Sequence, residues 1–284
     1  MINEIVEMFS YGFIQRALIV GALVTLCSSL LGVSLVLKRY SMIGDGLSHT
    51  AFGAMSIIVS LNSLPFFKEQ FNLNPLLCTI ILVIIVAFFL LRITENSKIT
   101  SDSAIALIST SSLALGVIVI TFTTGLSTDV CNTLFGTILA LSKTDVIFSV
   151  ILSIVVLVLF SFFYNKIFAV TFDENFAKAT GIKVNIYNML IALLTAITIV
   201  IGMRLMGSLL ISSLIVIPSL TSMRLFKTFK GVVISSATIS LVCFFIGMIL
   251  SYLFKLPTGA SIVMINVVMF LLFTFISFIN KKVG

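Results

Sequence analysis

Long apolar runs alternate with short polar connectors from one end of the chain to the other. Runs near Phe13–Leu37, Ser41–Ser60, Pro75–Leu91, Ser103–Thr121, Asp145–Tyr164, Ile186–Ile201, Leu205–Ser222, Val232–Phe254 and Gly259–Ile279 each approach the roughly 20 residues a helix needs to cross a bilayer core. Lipid offers backbone groups no water, so such runs are read as helices with every bond made internally. The expected fold is all-α, a polytopic integral membrane helix bundle of about eight to nine transmembrane helices. A further apolar piece, Asn132–Leu141, is too short to span and is read as re-entrant or as part of an outer loop.

The polar interruptions sharpen this picture. The longest, Arg92–Asp102, Gly125–Thr144 and Asn165–Asn185, are too short to fold alone. Residues 1–284 are therefore expected to form a single transmembrane domain, with a cytoplasmic segment near 172–185. Hydrophobic residues make up 60% of the chain and charged ones 10%, and the mean hydropathy is +1.27, far from a soluble average. Glu4 and Glu7 precede the first run, where a cleavable signal would carry positive charge.

Charge placement gives an orientation. With the N-terminus outside, Lys38, Arg39, Arg92, Lys98, Lys166, Lys178, Lys183, Arg224, Lys227, Lys230, Lys281 and Lys282 fall on the cytoplasmic side. Arg16, Lys68, Lys143, Arg204 and Lys255 fall outside or at helix ends. This is a positive-inside bias, and it also favours an odd number of spans with the C-terminus in the cytoplasm. The net charge of +7 is thereby accounted for with no nucleic acid as partner. Cys27, Cys78, Cys131 and Cys243 are dispersed and form no CxxC motif; those within spans read as small hydrophobes. No GxxxxGK[ST] sequence occurs, so the chain lacks its own P-loop and is not itself an ATPase.

Against this background Asp45-Gly46-Leu47-Ser48-His49 stands out, because it places an acid and the only histidine inside an apolar run. Ionisable groups in such runs are costly and usually serve a pore, a partner or a substrate. The spacing i, i+4 puts both side chains on one helix face. A carboxylate and a neutral imidazole converging there suit a divalent transition metal. Two structural alternatives stand beside this reading: a hydrogen bond between neighbouring turns, and Asp45 as a helix N-cap near the interface. The small residues Gly44, Gly46, Ser48 and Gly53 would let helices pack closely around the site.

The connector after the fifth run is the second informative place. Asp173 is a good N-cap, Glu174 suits the positive end of a helix dipole, and Gly181 fits the position just past a helix end. Phe176 and Ala177 give the short helix a small apolar face, either for a cleft on a cytosolic partner or as an ordinary connector.

These segments together resemble the metal-type (ABC-3) family of ABC transporter permeases, the membrane subunits of bacterial zinc, manganese and iron importers. Residues 37–49, Leu37-Lys38-Arg39-Tyr40-Ser41-Met42-Ile43-Gly44-Asp45-Gly46-Leu47-Ser48-His49, are similar to that family's RR-x-S-L-x-GDALSH stretch. Phe172-Asp173, Ala177 and Gly181 match its FD-x-x-x-A-x-x-x-G coupling segment. Gly207-Ser208-Leu209-Leu210 with Leu214 to Ser219 resembles its G-x-LL…ALLIIPAA helix, and Leu256-Pro257-Thr258-Gly259 its D-x-PTG entry to the last span. Gly46 and Ser219 replace the usual alanines and the acid before Pro257 is absent; none of these departures touches Asp45 or His49.

The resemblance implies a homodimer in the bacterial cytoplasmic membrane. Two cytosolic ABC ATPase subunits would bind ATP and dock at Asp173, Glu174, Ala177, Ala179 and Gly181, while an extracytoplasmic binding protein delivers the metal. Asp45 and His49 would be doubled across the dimer to hold the transported manganese, zinc or iron, with no permanently bound cofactor. ATP-driven motion of the coupling segment would move the helices carrying that pair. Rival readings are a permease for a metal chelate, as in siderophore uptake, and an ion-coupled secondary metal transporter. Direct protein ligands argue for a bare ion over a chelate.

Overall fold

The computed structural model describes residues 9–63, 74–96, 100–123 and 143–283. Among them run α1 (Gly12–Leu37), α2 (Ile43–Ser63), α3 (Pro75–Asn96), α4 (Ser101–Thr123), α5 (Lys143–Phe162), α6 (Tyr164–Phe172), α7 (Glu174–Ala179), α8 (Val184–Met206), α9 (Ser208–Met223), α10 (Phe229–Phe254) and α11 (Thr258–Val283). The nine apolar runs fall on α1–α5 and α8–α11. The piece Asn132–Leu141 lies outside the described residues, as does Cys131.

Length and apolarity establish an all-helical, polytopic membrane bundle. Among the described residues five helices, α1, α4, α8, α10 and α11, are long and apolar enough to cross a membrane alone. A sixth span results if α5 and α6, bent by 69°, count as one. The apolar parts of α3 and α9, Pro75–Leu90 and Ser208–Met223, are shorter, and α2 is diluted by Asp45, His49 and small residues.

Two boundaries differ from the hydropathy pattern for local reasons. The break between α5 and α6 falls at Phe163, with φ −93° and ψ 10°, and a nine-residue helix follows where the sequence suggested only a connector. Between α8 and α9 stands Gly207, at φ 87° and ψ 159°, a backbone region open essentially to glycine alone. Leu205 and Met206 therefore finish α8, and the next helix starts at Ser208.

The core is built around α1, which packs against α9, α10, α8 and α5. In lipid there is little hydrophobic drive between helices, so small residues and interhelical hydrogen bonds carry the packing. A Cβ built on Gly32 of α1 would lie 1.9 Å from the Ile215 carbonyl oxygen of α9, so only glycine permits this approach. Beside it the Ser219 and Ser236 hydroxyls reach the Ser29 carbonyl at 3.5 and 3.4 Å, tying α9 and α10 to α1. Pro218 cannot donate to the carbonyl four residues back; in the same stretch Ser219, Thr221 and Ser222 donate to the carbonyls of Ile215, Ile217 and Pro218.

Several connectors gather at one end of the bundle. Lys38, just past α1, contacts Glu174 of α7. Tyr164 and Phe168 of α6 stack near Phe229 at the start of α10, with ring centroids 5.5 and 5.0 Å apart. Ser277 near the end of α11 donates to the Arg224 carbonyl at 3.2 Å.

Candidate metal site and coupling segment

The route into the site is a tight turn between α1 and α2. Arg39 takes a left-handed conformation at φ 62°; its N–H donates to the Val36 carbonyl, and the Tyr40 N–H donates to that of Leu35. These two bonds are the Schellman closure, here with arginine where glycine is usual. Helix α2 begins three residues after Tyr40 and carries Asp45 in its first turn.

His49 Nε2 lies 3.4 Å from Asp45 Oδ1, one turn apart on the same face. The Asp45 side chain is 51% exposed and that of His49 20%. His49 Nδ1 is shielded from solvent and meets no hydrogen-bond partner among the described residues.

Small residues position this face. A Cβ on Gly46 would meet Ile105 Cγ2 of α4 at 2.5 Å, and one on Gly53 the Ser112 carbonyl oxygen at 2.4 Å. Gly44 faces α9, its Cβ position 3.2 Å from Ile215 Cδ1. Ser48 is fully buried and its hydroxyl donates to the Asp45 carbonyl at 2.8 Å. Helix α2 is thus wedged between α4 and α9, with Asp45 and His49 on its partly open side. Among the described residues no group of three or more His, Cys, Asp or Glu side chains forms. The described residues therefore offer the pair alone, which is short of the four-ligand sphere typical of zinc.

The coupling segment is built by its caps. Asp173 Oδ1 accepts from the N–H groups of Asn175 and Phe176 at 2.9 and 3.0 Å, starting α7. Gly181, at φ 82°, ends it: its N–H donates to the Lys178 carbonyl and that of Ile182 to Ala177. Ala177 is fully buried against Val170 and Val184, so it seats the helix on its own chain instead of facing outward. The exposed apolar side chains are Phe172 at 71%, Phe176 at 63%, and Ala179. This corrects the apolar face expected from Phe176 and Ala177 together.

Glu174 does more than favour a helix dipole. Its Oε1 accepts from Lys38 Nζ at 2.8 Å and from Asn188 Nδ2 of α8 at 3.2 Å, and Lys38 also donates to Asn188 Oδ1. Partial burial raises the Glu174 carboxyl, but hydrogen bonds and charge from Lys38, with Asn188 and Lys178, outweigh it and hold the group below its ordinary value. Nothing local in the sequence signals this trio, since Lys38 and Glu174 are 136 positions apart. Asn266, another polar residue of the last span, is buried and its Nδ2 donates to Ile262 O of its own helix at 2.9 Å.

A bundle of long apolar helices, with an acid–histidine face on one helix and a capped helix at one end, is that of a polytopic membrane protein. Residues 10–277 match the model of the ABC 3 transport family, and the chain belongs to that family as a metal-type ABC transporter permease subunit. It is 31% identical over its whole length, and over the whole length of the relative, to the manganese import system permease protein ScaB of Streptococcus gordonii. With the high-affinity zinc uptake system membrane protein ZnuB of Haemophilus influenzae it shares 29% identity, covering 91% of this chain and 95% of that one. The solved structure of PsaBC from Streptococcus pneumoniae in complex with Fab superposes with a TM-score of 0.83 at 29% identity, over 96% of this chain and 95% of the other.

Proposed function

We propose that this permease imports a free divalent transition metal ion, manganese, zinc or iron, as a homodimer driven by a separate cytosolic ATPase. The observation that carries the reading is the Asp45–His49 pair, half open and joined by no third His, Cys, Asp or Glu among the described residues. A second copy would supply another carboxylate and another imidazole, closing a four-ligand site. The ion would in turn neutralise carboxylates that low dielectric disfavours. Separation of the two α2 helices would then split four ligands into two pairs and release the ion, which is alternating access expressed as coordination chemistry. The manganese and zinc systems named among the relatives support the substrate class.

The remaining parts follow from that mechanism. The ATPase docks over residues 172–181, contacting Phe172 and Phe176 while Asp173, Ala177 and Gly181 hold α7 in shape. An extracytoplasmic binding protein delivers the ion at the other face. The chain is one domain of about eight to nine spans in the bacterial inner membrane, N-terminus outside and C-terminus cytoplasmic. The gathering of Lys38, α6–α7, Arg224 and the end of α11 at one end of the bundle supports this orientation, since these are connectors the charge pattern assigns to the cytoplasm.

The test is reconstitution in vesicles with the ATPase and the binding protein. Uptake of manganese(II) or zinc(II) that requires ATP, with each ion competing against the other, is the expected result. Uptake without any ATPase would instead establish an ion-coupled transporter.

A further inference from the structure

A hydroxyl side chain inside a helix commonly donates to the carbonyl one turn back. The buried Thr50, Thr79, Thr195, Thr198 and Thr221 all do so, at 2.7 or 2.8 Å. Thr25 of α1 and Ser240 of α10 do not. Both residues are fully buried, and neither Thr25 Oγ1 nor Ser240 Oγ meets a hydrogen-bond partner among the described residues. Buried hydroxyls without a partner are costly, and most are satisfied by protein or by ordered water.

The two hydroxyls belong to one place. Helices α1 and α10 pack on each other. Gly21 of α1 lies against Phe244 of α10, its Cβ position 2.2 Å from the ring Cζ. Further along α1 the Ser29 carbonyl accepts from Ser236 Oγ, as far back along α10, at 3.4 Å. The two helices therefore run antiparallel, and midway between these contacts Thr25 stands opposite Ser240. Next to them is a polar seam with slack in it. Ser219 Oγ of α9 is 3.5 Å from both the Ser29 carbonyl and Ser236 Oγ, beyond the usual 2.5–3.0 Å of a hydroxyl bond.

We propose that Thr25 and Ser240 form a binding site for one buried water molecule, which bridges α1 to α10 and extends the Ser29–Ser219–Ser236 seam by a turn. Water suits this donor set because each hydroxyl can donate or accept, and a buried water takes two to four such partners. A cation does not suit it: these residues bring no carboxylate, and a buried charge needs a paired one. Between helices in lipid, hydrogen bonds and close packing supply what the hydrophobic effect does not. The bridging water is in that sense a structural part of the bundle centre.

The experiment measures the thermal midpoint of the full-length permease in detergent for Thr25→Val, Ser240→Ala and the double variant. Each single change strands the water and the opposite hydroxyl, so the midpoint is expected to fall by about 2–4 °C. The double variant is expected to fall no further than the singles, because both act on one bridge. Deleting a hydroxyl that has no partner is instead neutral or stabilising, so single variants with an unchanged or raised midpoint overturn the site. Fully additive losses in the double variant overturn it as well. The parent midpoint is expected to be equal in sodium and in choline chloride; a sodium-dependent rise that is lost in Thr25→Val overturns water in favour of a cation. A density map of the parent, at a resolution that shows ordered water elsewhere in the bundle, covers variants that do not fold. An ordered peak about 2.8 Å from both hydroxyl oxygens is expected. The two hydroxyls in direct contact, or no peak between them, overturns the site.

Discussion

Gly53 of α2 and Ser112 of α4 are in backbone contact: a Cβ on Gly53 would stand 2.4 Å from the Ser112 carbonyl oxygen. The position above is matched, since a Cβ on Gly116 would lie 2.9 Å from the Gly53 Cα. Helix α2 makes its most extensive packing with α4, so this seam fixes the orientation of the helix that bears His49.

Gly53→Ala therefore forces α2 and α4 apart. Overpacking of this kind costs about 1–3 kcal/mol. The thermal midpoint of the purified protein in detergent is expected to fall. An unchanged midpoint means that the seam is looser than the contact implies.

The shape of α7 rests on its two caps. Asp173→Ala removes the acceptor for two N–H groups and is expected to cost about 1 kcal/mol locally. Gly181→Ala meets no side chain within 4 Å, so its cost is purely that of a left-handed backbone, about 1–2 kcal/mol. Hydrogen exchange across residues 174–182 is expected to quicken in both variants, and equal protection to the parent counts against the caps.

Acid should loosen the same helix. The Glu174 carboxyl sits below its ordinary value, so the charged form favours the folded state. Its contribution is complete above the unfolded glutamate value of about 4.3 and is lost as pH falls through the lower folded value. After correction for intrinsic rates, α7 protection is expected to drop at that point in the parent and to show no such step in Glu174→Gln. A step of equal size in both would assign it to another group.

Much of this was legible in the chain because it is local. Apolar runs located nine of the helices, and Asp173 and Gly181 announced the ends of α7 by their own backbone chemistry. What the sequence could not disclose depends on distant partners. Ala177 looked like part of an outward apolar face, yet Val170 and Val184 close over it. Glu174 looked like a dipole residue, yet its partner is Lys38 from the far end of another helix. The bend at Phe163 hid α6, because a 69° turn leaves no mark in hydropathy.

Asn266 separates packing from transport. Its amide donates to its own helix and Oδ1 meets no hydrogen-bond partner among the described residues, so Asn266→Leu is expected to leave ATP-driven metal uptake close to that of the parent. A strong loss of uptake with normal membrane abundance would place Asn266 on the ion's route.

The central claim is that Asp45 and His49 hold the transported ion. The most direct measurement is ATP-driven manganese(II) and zinc(II) accumulation by the reconstituted complex carrying His49→Ala, with membrane abundance and ATPase association assayed in parallel. Near-complete loss of accumulation is expected while assembly stays intact. Accumulation at the parent rate by an assembled His49→Ala complex would contradict it and remove His49 from the metal site.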